Sequence, residues 1–169
     1  MLPIVLEPRA MRIGVAGQGE GLRRRLALVS QAGVQPTVFE RTIPTAPDLT
    51  GLSALFVAGL DRATSQAVVQ AARQARVLVN VEDQPDLCDF HVPASVRRGS
   101  LLLTVSTGGQ SPGLARLLRE ELETRFGPEW CERVEELARA RSAWRQSGTD
   151  PATVSERTRT LVKAKGWLP

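Results

Sequence analysis

The sequence predicts an α/β fold in which a parallel sheet is covered by helices on both faces. Three observations lead there. Short apolar runs alternate with stretches of helical periodicity from Arg12 to Val81. A glycine-rich turn, Gly17-Gln18-Gly19-Glu20-Gly21, joins the first run to the first helix. The runs ALFVA and VLVNV are almost wholly apolar rather than alternating, as strands buried on both faces must be.

Taken in order, Arg12–Ala16 (RIGVA) is the first strand, and Leu22, Leu26, Leu28 and Val29 recur at helical spacing before a stop near Gly33. Gln35–Glu40 (QPTVFE) is the second strand. Between Arg41 and Ser53, two prolines and a glycine leave no room for a crossover helix, so a loop or a single turn is expected. Ala54–Ala58 is the third strand, Ala63–Ala75 a helix with its own apolar face, and Val77–Val81 the fourth strand.

After Asp83 the texture changes. Phe90–Arg98 is a short mixed piece, Leu101–Ser106 (LLLTVS) a strand and Thr107–Ser111 (TGGQS) a tight polar turn. Ser111 as N-cap and Pro112 at the first helical position open an amphipathic helix through Leu114, Leu117, Leu118, Leu122 and Phe126, ended by Gly127-Pro128. Glu129–Gln146 and Pro151–Lys165 are two further helices, parted by Ser147-Gly148-Thr149-Asp150.

With 169 residues, 42% hydrophobic and 24% charged, the chain has the composition of a globular protein and not of a disordered one. No apolar run approaches the ~18 residues of a membrane span, and Met1–Arg12 lacks the apolar core of a signal peptide. A soluble, cytoplasmic protein with no membrane partner is expected. Cys88 and Cys131 stand 43 positions apart, a spacing that indicates free thiols and neither a disulfide framework nor a zinc site. The whole net charge of +4 lies in residues 93–169, and 20 of the 22 cations are arginine, a side chain that grips carboxylate and phosphate. An anionic ligand fits that excess, as do solvated helix faces. The absence of tyrosine and the mere four phenylalanines speak against a nucleic-acid binder.

The turn at Gly17 and Gly19 sits where a nucleotide pyrophosphate meets a helix N-terminus, because small residues bring backbone N–H groups to the anion. Glu40, 23 residues past Gly17 and at a strand's end, is placed to accept from ribose hydroxyls. Leu22 departs from the small residue usual at the third position. Asp83 follows the fourth strand, where such sheets bind ligands, and belongs to a run of four acids, Glu82, Asp83, Asp86 and Asp89, able to raise one carboxylate's pKa for proton abstraction or to act as a solvated turn. His91, the only histidine, is either packed in an apolar stretch or a ligand beside those acids.

Read as one string, residues 80–121 carry NV-x-D, F-x-x-PA, RRG-x-L and S-T-G-G-x-S-P followed by LAR-x-LRE. This stretch resembles the precorrin-2 dehydrogenase / sirohydrochlorin ferrochelatase family, the N-terminal module of sirohaem synthase. The resemblance extends back through the glycine turn to Leu2–Leu6. It implies a Rossmann-like NAD-binding domain over 1–92, a small dimerisation segment over 93–126 and a C-terminal helical domain over 127–169. It implies NAD-dependent oxidation of precorrin-2 to sirohydrochlorin, with ferrous iron as a further substrate where chelation to sirohaem follows.

By the same resemblance Asp83 is the essential carboxylate, Ser111 the serine of the substrate turn, and Glu20, Gly21, Glu40, Arg41 and Thr42 the cofactor contacts beside Gly17 and Gly19. Arg97, Arg98, Arg116, Arg119 and His91 are assigned to the substrate's carboxylate arms. No resident metal is implied, and the protein is expected to be a homodimer. Two departures, Leu22 and the short segment after Thr42, leave an alternative open: a tetrapyrrole- or metal-binding module, or a chelatase, without the dehydrogenase step.

Overall fold

Strand β1 (Ile13–Gly17) is buried along its whole length, which makes it a central strand. In the computed structural model, which describes residues 2–168, it is followed by α1 (Gly19–Gln31), β2 (Thr37–Glu40), the single turn α2 (Ala46–Leu49), β3 (Ala54–Ala58), α3 (Arg62–Gln74) and β4 (Leu78–Val81). All four strands are parallel, in the order β2-β1-β3-β4. The chain steps from β1 to β2 and then back across to β3, so the order reverses between β1 and β3. At such a switch point the carboxyl ends of the strands leave a crevice.

Alternation along β1 and β3 divides the core into two layers. Ile13, Val15, Ala54 and Phe56 face α1, which contributes Leu22 and Val29. Phe90 joins this layer edge-on to Phe56, with ring centroids 5.4 Å apart. Ala16, Leu55 and Val57 face the other way, onto Val68, Val69 and Ala72 of α3, with Leu49 of α2 fully buried among them. The expectation of a loop or single turn between Arg41 and Ser53 holds. Asp48 accepts from the Thr45 N–H at 2.8 Å and from its hydroxyl at 2.6 Å, a reciprocal cap that closes the turn. With nothing longer there, β2 remains an edge strand and Val38 is about half exposed.

The chain divides into two compact units, residues 1–92 and 93–169. The second begins with the antiparallel hairpin β5 (Ala94–Arg98) and β6 (Leu101–Val105) and continues with α4 (Pro112–Arg125), α5 (Trp130–Gln146) and α6 (Pro151–Ala164). Strand β5 emerges from the stretch that read only as mixed, because one central residue, Val96, is buried while its neighbours are polar. Ser111 caps α4 as expected, its hydroxyl accepting from the Leu114 N–H at 3.3 Å. Arg98 finishes the same helix, donating to the carbonyls of Phe126 at 2.8 Å and Glu123 at 3.4 Å. Arg133 lies over Trp130 at 5.1 Å and over Trp167 at 5.6 Å, which ties the end of the chain to the start of α5.

Candidate functional site

The crevice is made by two backbones closer than any side chain permits. A Cβ at Gly17 would lie 1.9 Å from the Ala58 carbonyl oxygen, and one at Gly59 would lie 2.1 Å from that of Gln18. The Gln18 N–H donates to Ala58 O at 3.2 Å, so the ends of β1 and β3 are joined where the turn leaves the sheet. Gly19 is different: it sits at φ 63 with nothing within 4 Å of its Cβ position. The N-cap, Gln18, supplies no side-chain cap, and the first-turn amides of α1 are left to an external acceptor.

A cavity of about 560 Å³ opens at this point, lined by Gln18, Gly19, Glu20, Gly21, Arg23, Glu40, Arg41 and Gly59. Strand register explains the presence of Glu40, since Glu40 and Ala58 flank Gly17 on either side. Of the residues expected to touch a cofactor, Gly19, Glu20, Gly21, Glu40 and Arg41 line the cavity. Gly17 shapes it through its backbone, and Thr42 is not among the lining residues. Glu20 is bound to Arg23 at 2.7 Å, and that hydrogen bond holds its carboxyl below the ordinary carboxylate value. Arg41, at φ 59, makes no hydrogen bond or ion pair among the described residues. Gln18, Arg23 and Gly59 were not singled out from the sequence, although a glycine directly after an apolar strand, as in ALFVAG, was a legible signal for Gly59. Leu22 does not intrude on the cavity. It is 3% exposed in the core layer beneath α1, and Gly21 occupies the position of close approach.

Asp83 stands just past β4 on the same carboxyl edge of the sheet, exposed and in the left-handed region at φ 58. Its carboxylate enters no hydrogen bond or ion pair among the described residues. The run of four acids is not one cluster, because three of its members have cations of their own. Glu82 takes Arg24 at 3.1 Å and Arg25 at 3.8 Å, Asp86 takes Arg62, and Asp89 takes Arg73 at 2.9 Å. The hydrogen bond from Arg62 holds the Asp86 carboxyl low. Among the described residues no group of three histidine, cysteine or acidic side chains is placed to hold a metal. His91 is exposed and not packed.

In the second unit the arginines assigned to substrate differ in what they already hold. The Arg98 guanidinium is engaged by the end of α4. Arg116 donates to Glu120 at 2.9 Å, and Arg119 is held between Glu120 and Glu123. Of the four, only Arg97 has a guanidinium that makes no hydrogen bond or ion pair among the described residues. Ser111 donates its N–H to Thr107 Oγ1 at 3.1 Å, in addition to capping α4.

Residues 98–125 match the family described as sirohaem biosynthesis protein central. The siroheme synthase of Methylococcus capsulatus is 39% identical over 75% of this chain and 31% of its own length. That of Nitrosomonas europaea is 33% identical over 86% of this chain and 35% of its own. The chain thus spans about a third of the length of these curated relatives. A solved structure titled "SirC, precorrin-2 dehydrogenase" superposes with a TM-score of 0.77 at 22% identity, covering 96% of this chain and 89% of that one, which shows a shared fold. Residues 4–94, more than half of the chain and the whole of the glycine-turn cavity, match the family described as "Putative NAD(P)-binding", and the chain belongs to that family.

Proposed function

We propose that the chain oxidises precorrin-2 to sirohydrochlorin with NAD as cofactor. The observation that carries this reading is that a glycine-turn cavity and an unpaired carboxylate, Asp83, share the carboxyl edge of one parallel sheet. The cavity fits the cofactor: Gly19 and Gly21 line it without side chains, and α1, which starts at its wall, has no side-chain cap. Gly17, Gly19 and Gly21 with those amides would hold the pyrophosphate, Glu40 would accept from the ribose hydroxyls, and Glu20 and Arg41 would border them. When bound, NAD supplies the hydride acceptor. Asp83 takes the proton released as the carbon framework is oxidised, and its exposure lets a large substrate reach it.

Names of the relatives support the same pathway. Ferrous iron is then a second substrate: insertion displaces two pyrrole protons, and Asp83 can relay them. Within the second unit, Arg97 would meet a substrate carboxylate directly, whereas Arg116 and Arg119 would exchange a glutamate for one; Ser111 and, in the first unit, His91 are further proposed substrate contacts. A homodimer is supported by Leu114, Leu117 and Leu118, which expose a stripe at helical spacing on α4, and by a two-stranded hairpin with an unpaired edge on each side. The proposal includes a cytoplasmic location; among the described residues no helix is long and apolar enough to cross a membrane.

One observation favours the alternative of a binding module or chelatase without dehydrogenation. Between β2 and β3 the chain builds only the four-residue turn α2, and none of residues 42–53 lines the cavity. The deciding experiment is anaerobic incubation with precorrin-2, with and without NAD and ferrous iron, followed by visible spectroscopy. NAD-dependent appearance of the sirohydrochlorin spectrum is expected. Iron-dependent change alone would establish the alternative, and no change under either condition would overturn both.

A further inference from the structure

Glu82 is the acid of the 82–89 run that turns furthest inward, with a side chain 16% exposed against 26% for Asp89 and 56% for Asp86. Its Oε2 accepts from Arg24 at 3.1 Å, and its Oε1 lies 3.8 Å from Arg25 Nε. Both arginines come from α1. Arg25 is itself held, its guanidinium 6.0 Å from the centre of the Phe56 ring. From above, the carboxylate is covered by the first turn of α1: a Cβ at Gly21 would lie 2.7 Å from Glu82 Oε2. From below, the Glu82 N–H donates to Val57 O at 2.9 Å. The very next residue is Asp83.

Asp83 needs such an anchor. Asp83 sits in the left-handed region at φ 58, and because its side chain makes no hydrogen bond or ion pair among the described residues, its direction depends on how the residues on either side are held. The anchors lie on either side: Glu82 before it, and Gln84 after it, whose Nε2 donates to Ser65 Oγ at 3.2 Å. We propose that Glu82 is a positioning residue for Asp83, its carboxylate fixing the turn from which Asp83 projects and locking that turn to the nucleotide-binding helix. Glu82 also keeps Arg24 occupied.

The inference rests on the function proposed above, and its test keeps the two apart. Glu82→Gln preserves volume and an acceptor oxygen while removing the charge. Its kcat should fall about tenfold, with the KM for precorrin-2 and the NAD affinity by calorimetry each changing less than about threefold. Arg24→Gln should lower kcat in the same direction, and the double variant should be no slower than Glu82→Gln alone, because both act through one turn. In hydrogen exchange, the amides of Asp83 and Gln84 should open faster in Glu82→Gln, while those of β1 and β3 keep their protection. Losses that multiply in the double variant, or an equal fall in NAD affinity and kcat, would overturn the positioning role. If the unmodified chain leaves precorrin-2 unchanged, the proposed function falls, and the exchange at Asp83 still decides the positioning. If the unmodified chain is active, and Glu82→Gln is equally fast with unchanged exchange, only the positioning falls.

Discussion

Two carboxylates, Asp83 and Glu40, carry the proposed chemistry, and each is separable by substitution. Asp83 is exposed and outside the core, so Asp83→Ala should leave folding and NAD affinity unchanged and lower precorrin-2 turnover ~100-fold or more. Turnover above about a tenth of the unmodified rate would remove it from the proton-transfer role. Glu40 and Arg41 stand side by side at the cavity with opposite preferences, Glu40 for a ribose hydroxyl and Arg41 for a phosphate. NAD should bind more tightly than NADP in the unmodified chain, Glu40→Gln should narrow the gap and Arg41→Ala should widen it. Titration calorimetry with both dinucleotides measures all three, and tighter NADP binding by the unmodified chain would free Glu40 from its assignment.

Helix ends are held here by side chains whose ionisation matters. Asp61 caps α3, accepting from the N–H and hydroxyl of Thr64, and Asp150 caps α6, accepting from the hydroxyl and N–H of Thr153 and from the Ala152 N–H. These bonds hold both carboxyls below the ordinary aspartate value of 3.8. A lowered folded-state value stabilises the fold above the unfolded value and loses that contribution as pH falls through the folded one. The caps should therefore contribute in full above about pH 4 and fade below it. Thermal melts of Asp61→Asn and Asp150→Asn, which keep a capping oxygen, should depend less on pH between about 4 and 2 than those of the unmodified chain. At the crevice the constraint is steric. Gly59→Ala, at φ 69 and facing the Gln18 carbonyl at 2.1 Å, should cost about 2 kcal/mol or more and lower NAD affinity, as denaturant titration and calorimetry would show.

For the whole molecule, the question is what covers α4. Leu117 is 64% exposed, between Leu114 at 48% and Leu118 at 42%. If the proposed dimer forms through this stripe, sedimentation at micromolar concentration should give twice the 18.4 kDa chain mass, and Leu117→Glu should return the chain to a monomer. A monomer of the unmodified chain would remove the stripe from that role.

The sequence by itself determined the strand–turn–helix at Gly17, the parallel sheet, the single turn between Arg41 and Ser53 and the caps at Ser111 and Pro112. Each is a local matter of periodicity, glycine, proline or a hydroxyl at a helix start, and is written in neighbouring residues. The place of Glu40 at the end of the second strand was legible from spacing, while its register opposite Gly17 came from the sheet. Only the tertiary structure decided that Leu22 belongs to the core and leaves the cavity open, that Gly59 closes the crevice from the third strand, and that three of the four acids at 82–89 go to different cations while Asp83 pairs with none among the described residues. It also decided that Arg98 ends a helix and that Glu82 lies under Gly21. These facts join residues tens of positions apart, such as Arg24 and Glu82, and depend on how far apart two packed elements stand. No spacing within one segment records that distance.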